Sequence, residues 1–573
     1  MLDGKPFQMI SGEMHYARIP KQAWRDRMKM AKSMGLNTIG TYIFWNLHEP
    51  EKGVFDFSGD HDIVDFVTTA KEEGLWVILR PSPYVCAEWE YGGYPYWLQS
   101  EKGLVVRSRN SKYLKEYRKY INEIGKRLAP LQIKNGGNIL MIQLENEYGS
   151  YGNDKEYLKI NQKMFIAAGF DGLLYTCDPA ADVEKGYLPG LLPAINGLDK
   201  PNEVKALVNK LHNGKGPYYI AEWYPAWFDW WGTPHHIVPP GDYANRLDSV
   251  LKNGISINMY MFHGGTTRGF MNGANLKDDT NFEPQISSYD YDAPLDEAGN
   301  PTEKYFAFRK VIQKHLPAGV SLPEVPKRKP AVAIPGIMIS KEISILDNLP
   351  KAIKSRNPKR FEELGQDFGY VLYRKKILKT GSGTLLIKGL RDYAVIILNG
   401  KTIATLDRRL KTDSLSINLS AGINTLDILV ENMGRINFGK YMLDNNKGIL
   451  ESVSFNKTPL INWEMFKLPF KKIGDIKSNA HNEKIFSPKL SSGKFTLEKA
   501  ADTYLDMRNW GKGVVWVNGH NLGKYWSIGP QQTIYLPKEW LQEGENKIMI
   551  FEMLGNNQNL INGLEKPILN LLQ

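Results

Sequence analysis

Two places in the chain put carboxylates directly behind short apolar runs. Residues 138–144 (Asn-Ile-Leu-Met-Ile-Gln-Leu) run into Glu145, Asn146 and Glu147, and residues 218–221 run into Glu222. A nearly continuous apolar run of this length is the pattern of a strand buried on both faces, where an ionised group is costly. The charged residues therefore belong at the strands' carboxyl ends. Two carboxylates facing each other across such a mouth suit acetal chemistry. One stays protonated and gives the leaving oxygen its proton, while the other stays ionised and attacks or stabilises the anomeric carbon. Burial and mutual repulsion split their pKa values into those roles. Glu145 and Glu147 are i, i+2 neighbours that share a face of an extended chain, so spacing alone does not choose between them. Residues 223–231 (Trp-Tyr-Pro-Ala-Trp-Phe-Asp-Trp-Trp) follow Glu222 directly and would wall the site with aromatic faces suited to sugar rings.

The elements that would hold these residues repeat along the chain. Apolar runs at 7–10, 37–43, 76–79, 138–144, 172–176, 191–195, 218–221 and 255–261 alternate with amphipathic stretches. Those stretches are 21–34, 61–73, 111–128, 154–168, 202–211 and 241–251, with a closing one at 302–314. Pro20 before the first and Gly35 and Gly74 after the first two are the expected helix punctuation. Eight strand–helix units in about 315 residues fit a (β/α)8 TIM barrel better than an open doubly wound sheet. The fifth unit is degenerate, because 177–190 shows no clear helix. In such a ring the fourth and seventh strand ends oppose each other. Glu13, His15, Tyr42, Trp45, Asn46, Tyr84, Cys86, Glu88, Asn196, Tyr224 and Tyr260 should converge on the same mouth.

Past the barrel, residues 321–335 read as a Pro- and Lys-rich linker, and helical patterns almost vanish. Strand-like runs separated by Asn-Gly, Gly-Ser and Gly-Glu-Asn turns point to all-β modules. Arg391-Asp-Tyr-Ala-Val-Ile-Ile-Leu-Asn-Gly400 and Trp510-Gly-Lys-Gly-Val-Val-Trp-Val-Asn-Gly519 are two copies of a strand entering an Asn-Gly hairpin. The expected modules are a β-sandwich at 336–470 and a second at 471–573, with 331–345 crossing over to complete the second.

The bulk numbers exclude several function classes. At 573 residues, 42% apolar and a mean hydropathy of −0.39, the chain reads as an ordinary multidomain globular protein without a bilayer-spanning run. Its N-terminus shows no signal-peptide pattern, which leaves the compartment open. The net charge of +11 is spread along the chain, with only short clusters such as Lys327-Arg328-Lys329 and Arg408-Arg409. That is a solvated basic surface, not a nucleic-acid stripe. Cys86 and Cys177, after the third and fifth strands, should be free thiols with Cys86 lining the pocket. His235, His236 and His263 lack metal-ligand spacing and read as structural, so no metal or cofactor is expected. His263-Gly264-Gly265 has no accompanying Gly-x-Ser-x-Gly, which removes a lipase-type reading.

Longer motifs carry a resemblance. Gly12-Glu-Met-His-Tyr16, Thr41-Tyr-Ile-Phe-Trp-Asn-Leu-His-Glu-Pro50, Leu79-Arg-Pro-Ser-Pro-Tyr-Val-Cys-Ala-Glu-Trp-Glu-Tyr-Gly-Gly93 and Gln143-Leu-Glu-Asn-Glu-Tyr-Gly149 resemble glycoside hydrolase family 35. Ser288-Tyr-Asp-Tyr-Asp-Ala-Pro294 and the 511–519 run belong to the same pattern. The resemblance implies a TIM barrel followed by two galactose-binding-like jelly-roll domains. It implies a retaining, exo-acting β-galactosidase working on terminal non-reducing β-D-galactosyl residues of oligosaccharides or glycans, periplasmic or secreted. Glu147, preceded by Asn146, would be the general acid/base and Glu222 the nucleophile, with carboxyl groups about 5–5.5 Å apart as retention requires. Galactose contacts are implied for Tyr42, Cys86, Ala87, Glu88, Asn146 and Tyr291. Tyr260 and Trp227 would lie near the pocket, and Glu145 would bind sugar or tune it. Mammalian members bridge the cysteine at the Cys86 position to one soon after the Glu-Asn-Glu motif, and this chain has no cysteine there. Two alternatives stand beside this reading. A clan relative with another sugar preference would share the two glutamates, whereas a non-catalytic carbohydrate-binding protein would keep the aromatics and lose a carboxylate.

Overall fold

The computed structural model describes residues 2, 4–278, 280–317, 319–327, 330–471, 473, 488–556 and 558–573. Arg328 and Lys329 of the basic cluster, and most of the stretch opening the second expected sandwich, lie outside them. Eight parallel strands close into a barrel: β1 (Ile10–Met14), β2 (Thr38–Tyr42), β3 (Trp76–Arg80), β4 (Ile139–Gln143), β5 (Leu173–Pro179), β6 (Leu192–Asn196), β7 (Tyr219–Trp223) and β8 (Ser256–His263). Each pairs with the next, and β8 returns to β1 through Ile10↔Ile257 and Ser11↔Asn258.

The first strand differs from its expected place at 7–10. The apolar residues Phe7 and Met9 instead pack with Ile78, Met141, Tyr175 and Tyr219 in an apolar floor. The strand itself, Ile-Ser-Gly-Glu-Met, is polar in sequence yet wholly buried. Its polar groups are internally satisfied: the Ser11 hydroxyl donates to the Ile257 carbonyl and Glu13 accepts from Asn258. Gly12 is required for packing, since a Cβ there would sit 2.5 Å from Phe262 Cβ.

Helices Trp24–Met34, Ile63–Glu72, Ser111–Leu128, Lys155–Ala167, Pro201–Leu211 and Pro240–Lys252 return the chain between strands, and Glu303–Lys314 follows β8. Asn110 and Asp154 cap two of them by accepting from Tyr113 N and from Glu156 N and Tyr157 N. Two helices begin on Pro201 and Pro240, whose missing N–H would be unpaired there anyway. The fifth unit holds a single short helix, Val183–Gly186, where the pattern shows none.

The β half is built from a six-stranded and a four-stranded sheet, then an eight-stranded sheet. Strand Ile334–Ser344, directly after the linker, belongs to the last of these. It pairs antiparallel with both Lys489–Leu497 and Leu560–Leu564, so the chain crosses to the second module before building the first. Trp231, Phe270, Phe282 and Ile286 of the barrel half share one core with Tyr370, Tyr393 and Leu429 of the first module and Trp516, Trp526 and Phe551 of the second. The three units are thereby packed as one body. Among the described residues no helix is long and apolar enough to cross a membrane.

Candidate active site

Several of the functional side chains sit at or near the carboxyl ends of barrel strands, and the rest on the loops that follow them. Tyr42 ends β2, Arg80 ends β3, Asn196 ends β6, and Glu222 and Tyr260 lie within β7 and β8. Glu145, Asn146 and Glu147 come after β4, where the chain leaves the sheet. Glu145 (φ +60°) and Glu147 (φ +47°) both take left-handed conformations. The extended-chain rule that gives i and i+2 a common face therefore does not apply. Glu147 N–H donates to the Cys177 carbonyl at 3.0 Å, and Gly149 N–H donates to Asp178 Oδ1 at 2.6 Å, which pins the turn to β5. As a result the two carboxylates part. Glu147 faces the mouth. Glu145 turns away into a buried pocket, where Arg107 and the Tyr157 hydroxyl donate to it at 2.9 and 2.6 Å.

A cavity of about 520 Å³ opens at this mouth, within the ordinary size range of a small-molecule site. Glu147 and Glu222 both line it, with Asn146, Tyr42 and the Cys86–Ala87–Glu88 segment beside them. Tyr224, Trp227, Tyr260 and Tyr291 complete the aromatic wall. Glu145 is not among the lining residues. Trp223 and Trp231 of the aromatic segment point into the core instead.

The two lining glutamates sit in contrasting surroundings. Glu222 is held by three donors: the Tyr42 hydroxyl at 2.8 Å and Arg80 on Oε1, and the Tyr224 hydroxyl at 2.5 Å on Oε2. Arg80 is wholly buried, stacks 3.8 Å over the Tyr42 ring, and also faces Glu13 at 3.3 Å. Burial alone would raise Glu13, but Arg80 and hydrogen bonds from His15 and Asn258 outweigh it and hold Glu13 below the usual carboxylate value. Among the described residues Glu147 is paired with no cation, and Asn196 Nδ2 donates to its Oε1 at 3.1 Å. Burial and the Glu222 charge push its carboxyl up to about 8, so it is protonated at neutral pH. Burial also lifts Glu88 to about 7, against the opposing hydrogen bond it accepts from Tyr289.

Cys86, Ala87 and Glu88 have φ of +59°, +53° and +48°. Each such non-glycine residue costs on the order of 1–3 kcal/mol and persists only where surrounding contacts over-determine it. Both cysteines are free, and Cys86 lines the cavity with Asn437 Nδ2 3.3 Å from its sulfur.

Other strand-end residues support this layer from behind. Asn46 accepts from Trp89 Nε1 at 2.9 Å, Tyr84 donates to the Asn437 carbonyl at 2.8 Å, and His15 bridges Glu13 and Arg18. Trp45 stacks on Tyr120 away from the mouth. His235 and His236 are both tied to Asp229. Among the described residues no three His, Cys, Asp or Glu side chains come together as a metal ion would require.

Several contributors were not read from the sequence, among them Arg80, Asn275 and Phe438. Arg80 had a usable signal, a charge closing the apolar run Trp-Val-Ile-Leu. Asn275 and Phe438 had none, because they reach the cavity from the hairpin after β8 and from the first β module.

Comparison with known proteins agrees with this architecture. The model of glycosyl hydrolases family 35 matches residues 1–315, that of the beta-galactosidase first all-beta domain matches 358–469, and that of the beta-galactosidase galactose-binding domain matches 488–546. The chain is 42% identical over 539 residues to a beta-galactosidase of Xanthomonas manihotis, covering 93% of this chain and 89% of that one. It is 39% identical to beta-galactosidase-1-like protein 2 of Homo sapiens, covering 96% and 88%, and 40% identical to a beta-galactosidase of Mus musculus, covering 96% and 90%.

Proposed function

The chain belongs to glycosyl hydrolases family 35, and from that membership we propose a retaining, exo-acting β-galactosidase that cuts terminal non-reducing β-D-galactosyl residues from oligosaccharides or glycans. The chain is a glycoside hydrolase, and its substrate is a carbohydrate. What supports the finer reading is the contrast between the two lining glutamates. Burial and the Glu222 carboxylate raise the Glu147 pKa to about 8, while Glu222 accepts hydrogen bonds from Arg80, Tyr42 and Tyr224.

In this mechanism Glu222 attacks the anomeric carbon and Glu147 protonates the departing glycosidic oxygen, leaving a galactosyl–Glu222 ester. The proton lost from Glu147 drops its charge into the cavity at the moment the Glu222 charge is consumed, so the repulsion between them is never at full strength. Glu147, now a carboxylate, takes a proton from the incoming water. That water displaces Glu222 from the sugar, and both groups return to their starting states. The hydrogen bonds from Arg80, Tyr42 and Tyr224 then receive the restored carboxylate without rearrangement, which is preorganisation in the electrostatic sense. The cavity walls of Tyr260, Tyr291 and Trp227 offer apolar faces to the sugar ring, and Glu88 and Asn146 offer polar atoms to its hydroxyls.

The test is a panel of nitrophenyl β-glycosides with the released anomer followed by proton NMR. Preference for the galactoside with β-galactose appearing first is expected. Preference for another sugar would replace the substrate assignment, and α-galactose appearing first would replace retention by inversion.

A further inference from the structure

The loop that carries Cys86, Ala87 and Glu88 is held from two sides by different domains. On the barrel side, Arg18 donates to the Ala87 carbonyl at 2.6 Å and Gly273 N–H to the Glu88 carbonyl at 3.1 Å. On the other side lies the segment 432–438 of the first β module. Its Arg435 is wholly buried and wraps Glu90, two residues past Glu88. The Arg435 backbone N–H donates to Glu90 Oε2 and Nη1 donates to Oε1, each at 2.5 Å. Asn432 Nδ2 adds a third donor to Oε1 at 3.3 Å.

The rest of the Arg435 guanidinium is anchored within its own module. Nη2 reaches Glu362 Oε1 at 2.5 Å, and Nη1 reaches Asp367 Oδ1 at 3.1 Å. The same segment also touches the loop elsewhere. Asn437 Nδ2 lies 3.3 Å from the Cys86 sulfur, the Asn437 carbonyl accepts from Tyr84, and Phe438 enters the cavity. Close seating of the segment is built in at Gly434, where a Cβ would fall 2.5 Å from the carbonyl oxygens of Asn272 and Gly273.

A buried charge surrounded this completely does not shift freely, because any displacement leaves a desolvated group unpaired. A strained left-handed loop needs such over-determination to keep its shape. We propose that Arg435 is a positioning residue for the sugar pocket: through Glu90 it fixes the Cys86–Ala87–Glu88 loop from another domain. The β module is then part of the active site and not only a partner in packing. This inference rests on the reading of that loop as a sugar-binding wall.

The experiment uses the full chain with Glu90→Gln, Arg435→Gln and the double variant. Each is assayed well below its own melting temperature for competitive inhibition by galactose and for kcat and KM on a nitrophenyl galactoside. The galactose inhibition constant and KM should rise about 10- to 100-fold, the scale of a small misplacement of binding groups, with kcat falling less. The double variant should be no worse than the worse single one, because both changes break the same link. Glu90→Gln keeps the side chain's shape and supplies the answer should Arg435→Gln fail to fold. Galactose affinity unchanged from wild type in a folded Glu90→Gln protein, with only the melting temperature lowered, would overturn the proposal. A wild-type protein that does not bind galactose would overturn the pocket reading itself, which is a separate outcome.

Discussion

Asn196 and Glu222 are register partners on neighbouring strands β6 and β7, and from that pairing Asn196 reaches back to donate to Glu147 Oε1 at 3.1 Å. One amide thus stands beside the proposed nucleophile and holds the proposed acid. It favours the charged form of Glu147 and so opposes the burial and the Glu222 charge that raise its pKa.

The sign of the pH dependence follows from this. Glu147 must be protonated to act as the acid, so kcat/KM should be lost as pH rises through about 8. Asn196→Ala removes a hydrogen bond that stabilises the carboxylate, so the basic limb should move to higher pH. A pH–kcat/KM profile of wild type and variant checks this. A basic limb that stays in place or moves down would mean that Glu147 does not set it. Glu88, lifted to about 7, titrates in the same cavity. Glu88→Gln therefore belongs in the same series, and its basic limb should remain.

Tyr224→Phe should act at the other glutamate. It deletes a hydroxyl donating to Glu222 Oε2 at 2.5 Å while keeping the aromatic wall. A hydrogen bond to a charged group contributes about 1.5–3 kcal/mol, which corresponds to roughly a 10- to 100-fold loss in kcat/KM. A loss confined to KM, with kcat unchanged, would make Tyr224 a sugar contact alone.

Much of this arrangement was legible in the chain because barrel strands leave a clear trace. Runs such as 138–144 are apolar apart from Asn138 and Gln143, and their polar followers mark the mouth. Glu147, Glu222, Tyr42, Cys86 and Tyr260 could be placed together for that reason. The first strand is not legible locally because its buried face is polar: Ser11 and Glu13 are satisfied by β8 partners some 245 residues away, a pairing that no local window contains. The parting of Glu145 from Glu147 was equally invisible. It depends on left-handed backbone at non-glycine residues, held by contacts to β5. Phe438 and Arg435 illustrate a third limit, since domain docking brings them to the mouth and periodicity says nothing of docking.

Removal of the β half should abolish more than a surface. A chain ending at Leu322 would expose Trp231, Phe270, Phe282 and Ile286, which are now shared with both β modules, and would strip Asn437 and Phe438 from the cavity. Aggregation or an inactive barrel is the expected result, read by size-exclusion chromatography and by galactoside hydrolysis. A soluble, monomeric truncation with full activity on an oligosaccharide would show that the modules neither support nor shape the site.

The three glutamates should separate cleanly by leaving-group dependence. An acid is needed when the leaving group is poor, whereas the nucleophile is needed for every substrate. Glu147→Gln should lose about 10²- to 10⁴-fold on an alkyl or sugar galactoside yet keep much of its glycosylation rate on a dinitrophenyl galactoside. Azide, which needs no base, should then accelerate turnover of the stalled ester and release β-galactosyl azide. Glu222→Gly should be inactive on both substrates, and azide entering the vacated space should give the α-azide from a reactive β-aryl donor. Glu145 belongs to neither pattern. Its carboxylate is buried against Arg107 and Tyr157 outside the cavity, so Glu145→Gln leaves a desolvated guanidinium without its counter-charge, a loss of about 3–5 kcal/mol in stability. Its melting temperature should fall steeply, activity should decline in parallel on both substrates, and azide should rescue neither. Should Glu145→Gln instead show the leaving-group dependence and yield the β-azide while Glu147→Gln does not, the acid would be Glu145, and the left-handed turn after β4 would have to open during the reaction.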